Sequence, residues 1–380
     1  MAALGFSGKR PPLGTVIGTV QEINVFPGKS MRAVSKTHVK INANGLQGDR
    51  LFMVVDLRKV PMTQRQIPDL ARIQVDHIND ESKQVIRLVH PDYENDLRLD
   101  LNSILAASSQ KSGSFTVDLH GIKSQCVVLS EAANAWISTV LNKPGQLHLV
   151  TMMSSGEHNN NNEVVRKAYL SATHLVMPHL EKFDGMYLSD LAPISLTCTA
   201  SLAKVNEHAT EIVDMTRFRA NIVVDTGSGE QAFLEDHVLK LEIGDNNAGR
   251  SLRTIGPTFR CVIPSVNQET GEAGFRKNLK TAEPISTLKR LRSGGLRFGI
   301  TGFLPTDMGG SGSLAPLFGL YMGVDSQQST LDIKVGDKVR VTEYYPAPSA
   351  VSSLFAGSGS HWFILFLAIF ILLCLHFFQF

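Results

Sequence analysis

At 380 residues, 43% of them hydrophobic and 19% charged, the chain has ordinary globular composition and enough length for two domains plus accessories, which excludes disorder as its default state. Its 37 basic and 35 acidic residues leave a formal charge of +2, which argues against a dedicated nucleic-acid binder with a broad basic face; any anion binding must come from local clusters. The cysteines Cys126, Cys198, Cys261 and Cys374 form no C-x-x-C pair and are too sparse for a disulfide scaffold, so a reducing, cytosol-facing compartment fits best.

Met1 to Leu13 holds Lys9, Arg10 and two prolines but no apolar stretch, so neither a secretory signal nor an N-terminal span is expected. Residues 15–150 read as mostly β: GTVQEINVF, THVKINA, RLFMVVD, KQVIRLV and QCVVLS are rich in β-branched residues or alternate apolar with polar. One helix is predicted at Glu131 to Leu141, capped by Ser130, with Ala132, Ala135, Trp136 and Val140 as its apolar face. SSGEHNNNNEVV cannot contribute to a core and sets a polar linker at 151–164. Residues 165–345 supply strands at PISLTC, ANIVVD, HVLKLEIG, FRCVIPSV and LDIKVGDKVRVTEY, with a helix at Thr199 to His208. A closed or partly closed β-barrel is the natural class. Ser293 to Gly312 is glycine-rich, and residues 346–361, ending in AGSGS, read as a flexible tether. Residues 362–380, WFILFLAIFILLCLHFFQF, contain no Lys, Arg, Asp or Glu and match one bilayer core as a helix, so a transmembrane tail is expected. A cleaved lipid-anchor signal is the rival, given the small residues Ser352, Ser353 and Ala356 to Ser360.

Gly28-Lys29-Ser30 imitates the end of a phosphate-binding P-loop, yet Ile23 stands where its first glycine belongs. In TRFRANIVVD the alternation of Arg217, Arg219 and Asn221 would let one side of an extended segment present two guanidinium forks and an amide, which is anion-recognition chemistry. Cys261 follows Arg260, and a guanidinium beside a sulfur favours the thiolate required of a nucleophile or soft-metal ligand. Cys126 and Cys198 read as small buried apolar residues. The histidines form no zinc signature, and neither a G-x-S-x-G elbow nor a G-x-G-x-x-G fingerprint is present.

Taken in order, VFPGKS, GDRLFMVVD, MTQRQIP, YLSDLAPI, RFRANIVVD, FRCVIPSVNQETGE, APLFGLY and IKVGD resemble the mitochondrial amidoxime-reducing component family of MOSC-domain proteins, over roughly Thr15 to Tyr344. The resemblance implies a β-rich α+β fold in which an N-terminal MOSC-type β-barrel domain packs on a MOSC β-barrel domain. It implies a molybdenum–molybdopterin cofactor with Cys261 as metal ligand. Lys29, Ser30, Arg50, Arg219, Asn221, Arg260 and Tyr321 match cofactor-contacting positions, and Asp190 joins Cys261 as a candidate catalytic group. Two departures stand out: Ser189-Asp190-Leu191-Ala192-Pro193 replaces the family's Ser-Asp-Thr-Ser-Pro, and Thr258 stands where a second cysteine is common.

By the same resemblance the chain is a reductase of small N-hydroxylated substrates, fed by cytochrome b5 and NADH-cytochrome b5 reductase. The tail would hold the body on the cytosolic side of the mitochondrial outer membrane or endoplasmic reticulum. The rival reading is a non-catalytic molybdenum-cofactor binding or carrier protein of the MOSC class.

Overall fold

In a computed structural model the described residues are 8–345, apart from 43, 81–82, 109–111, 120–121, 154–187, 228, 245–250, 293–315 and 325–330. The β-rich runs become strands. Val16–Val25 buries Ile17, Val20, Ile23 and Val25. That spacing is looser than strict alternation because the pairing slips between Val16 and Gly18 on one side and between Val20 and Glu22 on the other, and a bulge shifts which residues face inward.

Seven strands close into a barrel. Their order is Ile222–Asp225, Ile194–Cys198, Leu317–Val324, Ser251–Phe259, Val238–Ile243, Lys338–Tyr344 and Val16–Val25, which pairs back onto Ile222–Asp225. Ile194–Cys198 and Ile222–Asp225 run parallel, so a crossover must join them, and the helix Thr199–Asn206 lies in it. Pro257 donates nothing to the ladder and sits where the register of Ser251–Phe259 shifts, a tolerated place for proline in a sheet. The first half of the chain builds a five-stranded sheet (Phe115–Leu119, Ile122–Val128, Leu147–Met152, Phe52–Asp56, Pro61–Met62) and a three-stranded one (Gln74–Asp80, Lys83–Val89, Leu97–Asp100). The halves exchange strands: Val16–Val25 completes the barrel, while Leu331–Lys334 pairs with His38–Asn42. Met1–Glu343 cluster as one compact unit.

Three expectations are corrected. The helix at Glu131–Val140 is capped as expected, Ser130 Oγ accepting from Ala133 N at 3.1 Å, but it buries Ala133, Ile137 and Val140. Ala132 and Ala135 face outward, and Trp136 sits at the edge with Nε1 donating to Asn95 O. The strand expected across FRCVIPSV ends at Phe259, and Ile263–Ser265 is a 3-10 turn, which Pro264 favours by fixing φ and lacking an N–H for a ladder. TRFRAN is not extended: Met215–Phe218 is a 3-10 turn capped by Asp214, and Arg219 is left-handed with φ 53°. Among the described residues no helix is long and apolar enough to cross a membrane. Residues 154–164, Ser293 to Gly312, the tether 346–361 and the tail 362–380 lie outside the described residues.

Candidate active site

The approach to the site begins where two segments zip together. Lys29 N donates to Phe52 O (2.8 Å), Phe52 N to Pro27 O (3.1 Å) and Arg50 N to Phe26 O (2.8 Å), so VFPGKS and GDRLF run side by side. Gly28 is required here, because a Cβ would fall 2.4 Å from Met31 Sδ and 2.7 Å from the Phe52 ring. Ser30 (φ 68°) and Arg50 (φ 52°) then take left-handed backbone that costs a non-glycine residue energy. With Arg219 they make three of the six such residues in the described structure, all three lining one pocket.

Asp49 and Asn221 hold the next layer. Asp49 is buried, its Oδ1 accepting from Phe26 N at 2.6 Å and Asn221 Nδ2 at 3.2 Å. Burial pushes its carboxyl up, opposed by the neighbouring Arg50, the Phe26 N–H and Arg219. Asn221 has no polar valence left over: Oδ1 accepts from Ser195 N and Ser195 Oγ, and Nδ2 donates to Asn24 O as well as Asp49. The guanidinium groups of Arg50 and Arg219 pack on the Phe26 ring at 4.9 and 4.4 Å. Arg219 Nη1 donates to Gln268 Oε1 (3.2 Å), while Nη2 is buried without a partner.

Cys261 is a free, half-buried cysteine just beyond the Ser251–Phe259 strand. Its chain neighbour Arg260 spends Nε on Phe318 O (2.9 Å) and Nη1 on Phe218 O (2.8 Å), over the stacked rings of those two residues. Burial lowers the Arg260 pKa to about 10, partly offset by Tyr321 and Cys261. Arg65, from the first half of the chain, lines the same pocket as Cys261. Burial alone would depress Arg65; the charges of Cys261, Asp190 and Tyr321 outweigh it and hold the guanidinium above its usual range. Asp190 in turn pairs with the buried Lys29 ammonium, which also donates to Leu188 O at 2.9 Å. Burial pulls Lys29 down, Asp190 restores it and Arg50 opposes.

All nine residues singled out from the sequence line one cavity: Lys29, Ser30, Arg50, Asp190, Arg219, Asn221, Arg260, Cys261 and Tyr321. Its empty space is about 850 Å³ including the open mouth, ample for a drug-sized ligand. Six cationic side chains, Lys29, Arg50, Arg65, Arg217, Arg219 and Arg260, face two carboxylates, Asp49 and Asp190. Five donor atoms on its lining are buried without a hydrogen-bond partner: Arg65 Nε, Arg217 Nε, Arg219 Nη2, Thr258 Oγ1 and Arg260 Nη2. Unspent buried donors cost stability, so a surplus of them beside uncompensated positive charge marks a surface built for an anion. Burial, then Arg50, push the Arg219 pKa well down; a bound anion is what would relieve that cost.

Sequence reasoning missed Arg65, Asp49 and the Gln64–Gln268 pair. Those two amides are buried and reciprocal, each Nε2 donating to the other Oε1 at 2.9 Å, with Gln64 Nε2 also reaching Ser30 O (2.8 Å). The motifs MTQRQIP and SVNQETGE contain all three of Gln64, Arg65 and Gln268, but no local spacing announces a contact across some two hundred residues.

A two-half β architecture around a cationic, cysteine-bearing pocket defines the class. Residues 17–144 match the family described as MOSC N-terminal beta barrel domain, and residues 185–340 match the MOSC domain. The chain belongs to the MOSC-domain proteins that carry this N-terminal barrel. It is 27% identical over 329 residues to mitochondrial amidoxime-reducing component 1 of Homo sapiens, covering 85% of this chain and 82% of that protein. Mitochondrial amidoxime reducing component 2 of Bos taurus is likewise 27% identical, at 85% and 83% coverage. A molybdenum cofactor sulfurase of Drosophila willistoni is 27% identical over 287 residues, 73% of this chain but only 30% of the sulfurase.

Proposed function

We propose that the chain is a molybdenum-cofactor-dependent oxidoreductase that reduces N-hydroxylated compounds of the amidoxime or hydroxylamine type. The observation that carries this reading is the convergence of six cationic side chains and five unspent buried donors on one free cysteine.

The donor set fits the cofactor. Cys261 offers one soft ligand, and a pterin dithiolene would bring the rest of the metal's chelate with it. The phosphate of such a pterin needs several charged donors, and Lys29, Ser30, Arg50 and Arg219 would supply them, with Arg260 and Tyr321 beside Cys261. Asn221, its amide fully spent, would act by fixing Asp49 and Ser195 rather than by touching the cofactor. When bound, the cofactor supplies two-electron exchange that the side chains cannot.

The protein's own part is to bind, orient and exclude water. Cys261 would ligate the metal through its thiolate. Asp190, half-exposed at the mouth and paired with Lys29, is placed to hold or pass a proton to a substrate oxygen. Reduction of an N–OH group breaks the N–O bond, consumes two electrons and two protons, and releases water. We take the electrons to come from cytochrome b5 and its NADH-dependent reductase, as the sequence resemblance implies.

The uncharged apolar segment 362–380 would tether the body to the mitochondrial outer membrane or endoplasmic reticulum, concentrating the electron carriers in two dimensions. A second reading, a cofactor carrier, draws on Leu191 and Ala192: both line the pocket and offer no hydroxyl. The similarity to a cofactor sulfurase supports it too.

The test is to isolate the protein from cofactor-competent cells, measure molybdenum stoichiometry, and supply reduced cytochrome b5 with benzamidoxime. Metal with turnover supports the reductase, metal without turnover the carrier, and absence of both overturns the proposal.

A further inference from the structure

We propose that the cavity has a second anion subsite, built on Arg217 and Thr258, which receives a carboxylate of the substrate and so favours carboxylate-bearing N-hydroxylated compounds over neutral ones. The inference rests on the reductase reading and names the class of substrate.

The donors of the cavity fall into two groups. Arg50 and Arg219 gather on the Phe26 ring at 4.9 and 4.4 Å, with Lys29 and Ser30 close by in the chain. That group serves the pterin phosphate. The second group stands on another aromatic base, the stacked rings of Phe218 and Phe318, whose centroids are 4.0 Å apart. Arg260 lies over both rings, and its Nη1 donates to Phe218 O at 2.8 Å. This bond ties the 3-10 turn Met215–Phe218, which carries Arg217, to the end of the strand Ser251–Phe259, which carries Thr258. The same turn packs against Ile263–Ser265. Left-handed Arg219 ends the turn, so Arg217 and Arg219 serve different groups although one residue separates them.

Arg217 is 9% exposed, yet its Nε is buried without a hydrogen-bond partner. Its Nη2 stands 3.9 Å from Oε1 of the exposed Glu211, a solvated pair too long for a hydrogen bond. Thr258 is 2% exposed, and its Oγ1 has no partner either. Both residues line the cavity. A dry, unpaired guanidinium N–H and hydroxyl cost stability, and a carboxylate accepting from both would relieve that cost. The charge agrees. Six cations face two carboxylates; a phosphate monoester brings about two negative charges and a Cys261 thiolate one more, so about one positive charge is left for a further anion.

The full chain from cofactor-competent cells is titrated by calorimetry, with no electron donor, against 4-carboxybenzamidoxime and its neutral isostere 4-carbamoylbenzamidoxime. The carboxylate should bind about tenfold tighter. That ratio should fall to about twofold or less in Arg217→Leu and by about threefold in Thr258→Val, and Arg217→Lys should recover part of it. Pterin and molybdenum are measured on the same samples: Arg50→Leu should shed pterin, and Arg217→Leu should keep it. Should Arg217→Leu lose its cooperative thermal transition, Arg217→Gln replaces it. An equal weakening of both ligands in Arg217→Leu overturns the proposal, as does loss of its pterin. A parent without molybdenum refutes the reductase reading and this inference with it, whereas a loaded parent that binds both ligands equally refutes the inference alone.

Discussion

Cys261 and Cys198 follow strands or end them in the same barrel, yet their surroundings are opposite in sign. Around Cys261 the buried charge is cationic and its donors are unspent. Around Cys198 it is anionic: burial, together with the Glu235 and Asp236 carboxylates, pushes the thiol well above its ordinary range. One cysteine sits where an incoming anion would be stabilised. The other sits where a proton stays on sulfur. The charges come from distant segments: Arg65, from the first half, lines the Cys261 pocket, and Glu235, from the segment leading into Val238–Ile243, acts on Cys198.

The largest expected effect breaks the contrast at the sulfur itself. Cys261→Ser should abolish benzamidoxime reduction, by about a hundredfold or more, because an alcohol is a poor soft-metal ligand. Cys198→Ala should leave that activity near its original value, since Cys198 is 2% exposed and away from the pocket lining. Equal losses in the two variants would show that the distinction between them is false. Removing the apolar segment after Ser360 tests the tether separately: carbonate-resistant membrane association of the truncated chain would refute its role.

The next effect tests what holds the anionic region together. Arg292 makes a bidentate pair with Asp236, Nη1 to Oδ2 at 2.8 Å and Nη2 to Oδ1 at 3.0 Å, with both side chains buried and the guanidinium over the Phe233 ring at 4.1 Å. Truncating one partner of such a pair leaves a buried charge exposed to no solvent and costs about 3–5 kcal/mol. Arg292→Ala should therefore lower the thermal midpoint by roughly ten degrees or more. Arg219→Leu should not: it removes a buried cation whose Nη2 has no partner, so its stability loss should be much smaller while anion binding fails.

The nine residues selected from short motifs line a single cavity, so their proximity was legible in the sequence. The barrel was legible from its β-branched runs. What escaped was whatever depends on three-dimensional pairing. Arg217, Arg219 and Asn221 were expected to share a face of an extended segment; they converge on the pocket instead through a 3-10 turn and one left-handed residue. Arg260 was expected to activate Cys261 by adjacency, yet most of its hydrogen bonding goes to two backbone carbonyls. The strand Leu317–Val324 was hidden by Gly319, where φ is 77° and an added Cβ would fall 2.5 Å from Leu196 O, leaving no room for a side chain. Strand exchange between the halves has no local signal at all.

The smallest predicted effect is the one most diagnostic of the anionic region. Glu235 is buried without a hydrogen bond of ordinary geometry to its oxygens, with the Ser201 hydroxyl and Cys198 thiol as polar company, and burial, reinforced by Asp236, raises its carboxyl from the ordinary value to about 7. A raised carboxyl binds its proton more tightly in the folded state than in the unfolded one. Stability contributed by the neutral form is thus intact below the unfolded value, is lost progressively as pH climbs from about 4.5, and is fully lost above about 7. Glu235→Gln mimics the protonated state, so it should match the parent near pH 4.5 and exceed it above pH 7 by up to roughly 3 kcal/mol. Thermal midpoints of the two proteins measured between pH 4.5 and 8 should diverge with rising pH; parallel curves would mean that Glu235 keeps its charge at neutral pH and that Cys198 faces a carboxylate held by some other donor.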